Sequence, residues 1–215
     1  MLYFCFKNIS EISDKEVQEM KNQIARHFDE NVSLKRKESV CAKFILCNML
    51  EKLYGMKDFF ITADKNGKPY MKNASLFFNI SHSKDIVFCT VCEKEVGCDV
   101  QVISEFKPKV AERFFTENEY NVLSESETPD TDFIKLWTVK ESILKYSGKG
   151  IAGGLSSYDF YDCINKDSFT KYGLNFKTFI MDKYAFTFCS KEEKSCLYQL
   201  KMGGDKNADF KIYQK

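Results

Sequence analysis

One long stretch in the second half of the chain repeats apolar residues every three, four and seven positions. The apolar positions are Phe133, Leu136, Trp137, Ile143 and Leu144. This spacing is typical of one face of an amphipathic helix and predicts a helix over residues 133–145. Pro129 suits the approach to its first turn, and Gly148 suits its end.

Glu141 interrupts this apolar stripe, because it lies four residues after Trp137 and three before Leu144. An acid that faces a core usually has a charged partner or a metal ion. The simpler interpretation is an exposed pair with Lys145 one turn later, worth a few tenths of a kcal/mol. The helix alone leaves both interpretations open.

A second stretch, residues 96–101, predicts a strand in which Gly97 permits close approach of another backbone. Asp99 and Gln101 are two residues apart and therefore project from the same face of this strand. A lone acid in such a place can be a turn residue just past the strand end. Beside Glu141, it instead indicates a site for a hard cation such as Mg²⁺, which prefers oxygen ligands.

The remaining pattern mixes strands and helices and predicts an α+β fold. The predicted strands cover residues 2–6, 59–62, 76–80, 86–92, 96–102, 158–162, 173–180, 184–189 and 196–200. One predicted helix begins at a capping box at Ser13–Glu16. A second predicted helix covers residues 33–54 and ends at Gly55. Strands 86–92 and 96–102 are expected to form a hairpin, and residues 81–83 to follow the end of a strand.

A faint internal repeat suggests two related halves. Residues 184–193 resemble residues 85–95 in their order of aromatic, β-branched, cysteine and charged positions. The offset is about 100 residues, and Lys107 and Pro108 mark a linker or a helix start between the copies. We therefore predict an N-terminal half over residues 1–103 and a C-terminal half over residues 104–215.

Composition narrows the classes of protein but identifies none. The 215 residues are 44% hydrophobic and 29% charged, with a net charge of +1. This balance gives no support for nucleic-acid or membrane binding. Nine cysteines without a zinc-like spacing indicate free thiols in the cytoplasm. The N-terminal apolar run is too short for a secretion signal, and no run reaches transmembrane length.

Three blocks, read together, resemble a known family. They are Phe78-Asn79-Ile80-Ser81-His82-Ser83, Gly97-Cys98-Asp99-Val100, and the stretch from Trp137 to Lys145. In this order and spacing they resemble the signature blocks of 4′-phosphopantetheinyl transferases of the surfactin-synthetase-activating type. The resemblance extends from about residue 35 to about residue 154 and continues more weakly to the C-terminus. It implies two pseudo-symmetric α+β halves with the active site at their interface. Two such halves in one chain also favour a monomer.

The resemblance also implies a reaction. The family transfers 4′-phosphopantetheine from coenzyme A to a serine of an apo acyl or peptidyl carrier protein, releasing 3′,5′-adenosine bisphosphate with Mg²⁺. Asp99, Glu141 and Gln101 match the metal-ligand positions. Many members carry an acid where this chain has Gln101, which can offer a carbonyl oxygen but no charge. The blocks contain no signature that selects among fatty-acid, polyketide and non-ribosomal peptide carriers.

Further roles follow from the same resemblance. Glu141 and Lys145 are the expected catalytic residues, since Lys145 lies one turn away and can reach the same phosphates. Glu119 forms a predicted capping box with Thr116, and this can be its whole role. The resemblance adds a second role for Glu119, as a metal ligand or as the general base. A metal-bound water could act as the general base instead. The candidate contacts to coenzyme A are Arg36, Lys43, Lys68, Ser81, His82, Lys140 and Lys145.

Each of these assignments has a simpler counterpart. The simpler interpretation places Arg36 and Lys43 on a solvated helix face, Lys68 in an ordinary turn, and His82 on the surface or in the core. For the whole chain, the alternatives are a catalytically degenerate relative that binds coenzyme A or carrier protein, an unrelated Mg²⁺ phosphohydrolase, and an α+β protein with a buried Glu141–Lys145 pair.

Overall fold

The computed structural model describes residues 1–148, 150, 154–199 and 211–214, and they form an α+β fold. The helices are α1 (Asp14–Ile24), α2 (Lys37–Tyr54), α3 (Pro108–Phe114), α4 (Glu117–Ser124) and α5 (Pro129–Ser147). The strands of the N-terminal part are β1 (Leu2–Asn8), β2 (Ile61–Ala63), β3 (Pro69–Met71), β4 (Phe77–Ser83), β5 (Ile86–Cys92) and β6 (Val96–Val102). The later strands are β7 (Ser168–Lys171), β8 (Leu174–Met181), β9 (Tyr184–Ser190), β10 (Ser195–Gln199) and β11 (Lys211–Gln214).

Two larger sheets and a small hairpin organise these elements. The first sheet has the strand order β11-β10-β1-β5-β4, and the second has the order β6-β9-β8-β7. The β1–β10 pair is parallel, whereas the other pairs in both sheets are antiparallel. Helix α2 packs on the first sheet and α5 packs on the second. Among the described residues, no helix is long and apolar enough to cross a membrane.

The internal repeat in the sequence corresponds to a repeat in the fold. Hairpins β4–β5 and β8–β9 both turn through two residues, and Lys84 and Asp182 both adopt a left-handed conformation with φ of 51°. The second strand of each hairpin leads into a strand of the other sheet, namely β6 and β10. The sheets thus exchange strands, and β6 pairs with β9 although the predicted boundary at residue 103 groups it with the first half.

Three sequence-based expectations are wrong. Strand β5 pairs with β1 and β4 rather than with β6, so the predicted β5–β6 hairpin does not form. Residues 81–83 lie within β4, because the turn to β5 begins only after Ser83. The helix predicted from residue 33 begins at Lys37.

The strand predicted at residues 158–162 is also absent. A short 3₁₀ turn at Leu155–Ser157 precedes this segment, and a second one at Tyr161–Cys163 includes its last two residues. Buried side chains bind the backbone here: Lys140 donates to the Tyr158 carbonyl, and Glu119 accepts from the Phe160 N–H. A ladder partner would compete for the same groups, so the segment stays irregular.

The packing between the two sheets is mainly aromatic. Phe4 and Phe88 from the first sheet meet Phe186 and Phe188 from the second, with ring centroids 5.1 Å apart for Phe4–Phe188 and 5.3 Å apart for Phe88–Phe186. All four side chains are buried. Burying one such ring contributes about 1.5–3 kcal/mol, so this cluster fixes how the sheets meet.

Candidate active site

The edge strands β4 and β6 meet where the two sheets join, and side chains connect them in place of a backbone ladder. Three β6 backbone N–H groups donate to β4 side chains: Cys98 to Asn79 Oδ1 at 3.2 Å, Val100 to Ser81 Oγ at 3.4 Å and Val102 to Ser83 Oγ at 3.1 Å. An edge strand otherwise leaves such groups unpaired. These bonds hold β6 against β4 and place Asp99 at the junction.

Asp99 is buried and accepts hydrogen bonds from three side chains. Its Oδ1 accepts from Lys145 Nζ at 2.6 Å and from Ser81 Oγ at 2.7 Å, while its Oδ2 accepts from Gln101 Nε2 at 3.2 Å. Lys145 Nζ also contacts Ser81 Oγ at 2.9 Å. The hydroxyl of Ser81 is therefore engaged within the protein, which favours a positioning role over the predicted contact with coenzyme A.

Lys145 remains charged in this setting. Burial opposes its charged form, but the charge and hydrogen bond of Asp99, with a further contribution from Glu141, raise the pKa of Lys145 above its ordinary value. Its side chain is 30% exposed. Lys145 can therefore present a permanent positive charge to a ligand at the junction.

Glu141 lies beside this pair, as its place on the apolar stripe suggested. Its side chain is partly exposed, and no described residue donates a hydrogen bond to its carboxylate. Burial and the negative charge of Asp99 raise the pKa of Glu141, whereas Lys145 lowers it. Two neighbouring carboxylates with one open acceptor are a donor set that suits a hard cation.

The residues present fit a magnesium ion, with one qualification set by Gln101. The described residues contain no group of three or more acidic, histidine or cysteine side chains placed to hold a metal. A cation at this junction would thus have the two carboxylates of Asp99 and Glu141, and Gln101 could add only a neutral amide oxygen.

Gly97 sets the separation between β6 and α5. A Cβ atom at this position would lie 2.0 Å from the Ser142 carbonyl oxygen and 2.5 Å from the Tyr146 backbone nitrogen. Only glycine allows this approach. The close contact predicted for Gly97 is confirmed, and it brings Asp99 on β6 to Lys145 on α5.

His82 projects from the face of β4 opposite to Ser81 and Ser83. Several of the basic residues predicted to contact coenzyme A lie near it. His82 is an exposed residue, but partial desolvation lowers the pKa of its imidazole. Glu38 acts in the opposite direction, while Arg36, Lys145 and Lys43 lower the pKa further. These charged residues therefore lie close enough to His82 to affect its titration.

Arg36 and Lys43 differ in their availability to a ligand. Arg36 precedes α2, and its side chain is 72% exposed beside Glu38 at 3.4 Å. Lys43 is buried, and its Nζ donates to the Ser39 hydroxyl at 2.6 Å and the Ser33 carbonyl at 3.0 Å. Burial, and then Arg36, lower the pKa of Lys43 to about 8. Arg36 is thus the more accessible of the two predicted phosphate contacts.

Lys68 lies at the C-terminal end of α5. Its Nζ donates to Glu95 Oε1 at 2.6 Å and to the Tyr146 carbonyl at 3.0 Å, and Asn66 Nδ2 donates to the Gly148 carbonyl at 3.1 Å. These bonds cap the last turn of the helix, where carbonyl groups lack intrahelical partners. A cavity of about 400 Å³ adjoins Lys68 and includes the exposed Tyr70 ring in its lining.

The family model for the 4′-phosphopantetheinyl transferase superfamily matches residues 95–192, the segment that contains Asp99, Gln101, Glu141 and Lys145. This segment belongs to that superfamily. The α+β fold of the described residues agrees with it.

Individual relatives point to the same family. The chain is 34% identical over 127 residues to 4′-phosphopantetheinyl transferase psf-1 of Bacillus pumilus, covering 57% of this chain and 54% of that protein. It is 42% identical over 94 residues to the transferase gsp of Aneurinibacillus migulanus, covering 43% and 39%. It is 34% identical over 104 residues to the transferase Sfp of Bacillus subtilis, covering 47% and 46%. The chain thus matches about half the length or less of these curated relatives.

Two residues that the transferase resemblance suggested for catalysis or coenzyme binding form a separate, fully buried pair. Lys140 Nζ lies 2.5 Å from Glu119 Oε2, and neither side chain is exposed. Glu119 also accepts from the Thr116 N–H at 2.9 Å, so the predicted capping box is confirmed, and from the Phe160 N–H at 2.9 Å. Burial lowers the pKa of Lys140, and Glu119 opposes this shift. The pair joins α4, α5 and the Tyr158 carbonyl.

Asn79 and Ser83 belong to the junction of β4 and β6, although the sequence analysis assigned neither of them a role. Together with Ser81 they form a polar series at every second position of an otherwise apolar strand. That alternation was a usable signal, since alternate residues of a strand share a face. It predicts a common polar partner, which proves to be the backbone of β6.

Proposed function

We propose that the protein transfers the 4′-phosphopantetheine group of coenzyme A to a serine of an apo acyl or peptidyl carrier protein and releases 3′,5′-adenosine bisphosphate. The observation that supports this most is the cluster of Lys145, Asp99 and Glu141 at the junction of the two sheets, inside the segment matched by the superfamily. A pyrophosphate substrate requires positive charge at such a place, and the cluster can supply it in two ways.

The first source of positive charge is a bound cation. Asp99 and Glu141 would hold Mg²⁺, and the bound ion would neutralise the pyrophosphate oxygens as charge develops on them. The carboxylate of Glu141 lacks a hydrogen-bond donor among the described residues and is therefore open to a ligand. Asp99 is already oriented by Ser81 and Lys145.

The second source is the protein's own cations. Lys145 is charged, partly exposed and one helical turn from Glu141, so its ammonium group can contact the same phosphate oxygens. Arg36 extends into solvent near His82, and the imidazole of His82 can donate a hydrogen bond to a phosphate. These residues would orient the pyrophosphate for in-line attack by the carrier serine.

The remaining predicted roles have less support from the geometry. Glu119 and Lys140 have no exposed surface through which to reach a substrate. The general-base role of Glu119 and the coenzyme contacts of Lys140, Lys43 and Lys68 stay predictions. The cytoplasmic location, the monomeric state, and the absence of nucleic-acid and membrane partners also stay predictions.

The test is intact mass spectrometry of apo acyl and peptidyl carrier proteins incubated with this protein, coenzyme A and Mg²⁺. We expect a mass gain equal to one phosphopantetheine, lost in Asp99→Asn and Glu141→Gln. The matched control is Glu127→Gln, an exposed acid outside these blocks. Binding of coenzyme A without a mass gain on either carrier would favour a degenerate relative. Absence of coenzyme A binding would refute the proposed function.

A further inference from the structure

Gln101 occupies the position where many members of the resembled family have an acid, and its side-chain amide is bonded at both ends. The Nε2 donates to Asp99 Oδ2 at 3.2 Å, and the Oε1 accepts from the Ser83 hydroxyl at 3.4 Å. The second bond is long, but it lies in a partly buried setting.

The hydrogen-bond network determines which way this amide points. An ionised carboxylate such as Asp99 can only accept, so it requires the NH₂ group. Ser83 Oγ already accepts from the Val102 N–H at 3.1 Å, which leaves its own O–H to donate to the Gln101 carbonyl. The reversed amide would place its carbonyl oxygen against the carboxylate of Asp99. Chemical complementarity thus fixes the orientation.

We infer that Gln101 is a positioning residue that holds Asp99 for the cation and is not itself a ligand. This inference rests on the proposed cation site of Asp99 and Glu141. The only amide oxygen that could ligate faces Ser83, while the amide N–H holds the second carboxylate oxygen of Asp99. An acid at residue 101 would instead repel Asp99 until a cation bound. The amide therefore orders Asp99 through a hydrogen bond without adding a negative charge.

The first experiment compares Mn²⁺ affinity, measured by electron paramagnetic resonance of free Mn²⁺, in the full chain and its Ser83→Ala and Gln101→Met variants. If Gln101 positions Asp99, both variants loosen the same network, and both should weaken Mn²⁺ binding by about tenfold or more. If Gln101 is a ligand, Ser83→Ala frees the Gln101 oxygen and removes only the Val102 contact, so it should weaken Mn²⁺ binding far less than Gln101→Met does. That result, with weaker binding in Gln101→Met, would overturn the inference.

The matched control is Gln18→Met, which makes the same substitution at an exposed glutamine on α1. We expect its Mn²⁺ affinity to equal that of the unmodified protein. Circular dichroism of each variant checks that the fold is kept. A tenfold loss in the control would show that the effect is not local to Asp99 and would count against the inference.

A second measurement needs neither metal nor activity. The sequence contains five glutamines, so ¹⁵N-glutamine labelling gives five side-chain NH₂ pairs, and the pair missing in Gln101→Glu identifies residue 101. We expect one of its protons to exchange slowly in metal-free protein, and this protection to disappear in Asp99→Ala. A pair that exchanges as fast as that of Gln18 would overturn the inference. If the unmodified protein binds no Mn²⁺, the proposed cation site fails, and this measurement still decides the role of Gln101.

Discussion

The buried Glu119–Lys140 pair allows a sharp test of whether these two residues perform chemistry or hold the fold. Both side chains are fully buried, and the ammonium and carboxylate groups lie 2.5 Å apart. Removing one partner of such a pair costs about 3–5 kcal/mol, because the other charge remains buried without compensation. Replacing both partners with neutral groups of similar size is often nearly neutral.

The perturbation is therefore a cycle of Lys140→Met, Glu119→Gln and the double variant. Lys140→Met should lower the melting temperature by about 6–20 °C, which is the cost above at about 2–4 °C per kcal/mol for a chain of this size. In the double variant, the glutamine oxygen can replace Glu119 Oε1 and accept from the Phe160 N–H, and the NH₂ group that replaces Oε2 can donate to the Tyr158 carbonyl. The Thr116 N–H then loses its acceptor, which costs about 1 kcal/mol. The melting temperature of the double variant should recover most of the loss.

The assay combines thermal unfolding with the carrier-modification rate, measured well below the lowest melting temperature. A positioning pair predicts that the double variant regains the rate together with the stability. A catalytic Glu119 or a phosphate-binding Lys140 predicts a stable double variant whose rate stays as low as that of the worse single variant. The second outcome would refute the positioning role. Equal stability of the unmodified protein and the three variants would refute the expected cost of removing one partner of the buried pair.

Three further predictions follow from contacts near the junction. Gly97→Ala should destabilise the fold by about 1–3 kcal/mol in urea titrations, because a Cβ 2.5 Å from the Tyr146 nitrogen forces β6 away from α5; an unchanged midpoint would contradict this. Since the pKa of Lys43 is lowered to about 8 in the fold, the unfolded chain binds more protons between about pH 8 and 10.5, and the Lys43 contribution to stability should rise over that window. Unfolding titrations should then show Lys43→Met gaining most over the unmodified protein below pH 8, and a pH-independent difference would contradict the shift. Lys68→Met should cost about 1 kcal/mol of stability but weaken calorimetric coenzyme A binding less than Arg36→Met, because Lys68 is engaged with α5; the reverse ranking would restore its predicted ligand contact.

Local pattern predicted the elements that carry the site, but not their partners. The spacing around Glu141 defined α5 and the face on which the acid lies, and Asp99 and Gln101 were correctly expected on one face of a strand. The predicted partner of β6, strand β5, was wrong, because the short polar link between β5 and β6 suggests a hairpin. The actual pairing, in which Val96 faces Ser190, joins residues far apart in sequence.

Tertiary contacts explain the errors elsewhere. Residues 158–162 have strand-like composition, yet the buried charges of Lys140 and Glu119 bind their backbone groups. Nothing local to Glu119 reveals Lys140 as its partner, since 21 residues separate them. The capping box was predictable because its two bonds involve residues three apart. Sequence patterns thus predicted contacts within one element or turn, and failed where a distant side chain decided the structure.

Because the two sheets exchange strands, the geometry of the candidate site around Asp99 depends on the whole fold. Ser81 comes from the first sheet, whereas Asp99 and Lys145 come from the second sheet and the helix packed on it. Because β4 and β6 share side-chain bonds and no backbone ladder, their alignment depends on those bonds and on the aromatic packing between the sheets. Neither sheet alone contains the full set of contacts to Asp99. The carboxylate is therefore ordered only when both sheets are folded and docked, which couples the proposed cation site to the cooperative stability of the entire chain.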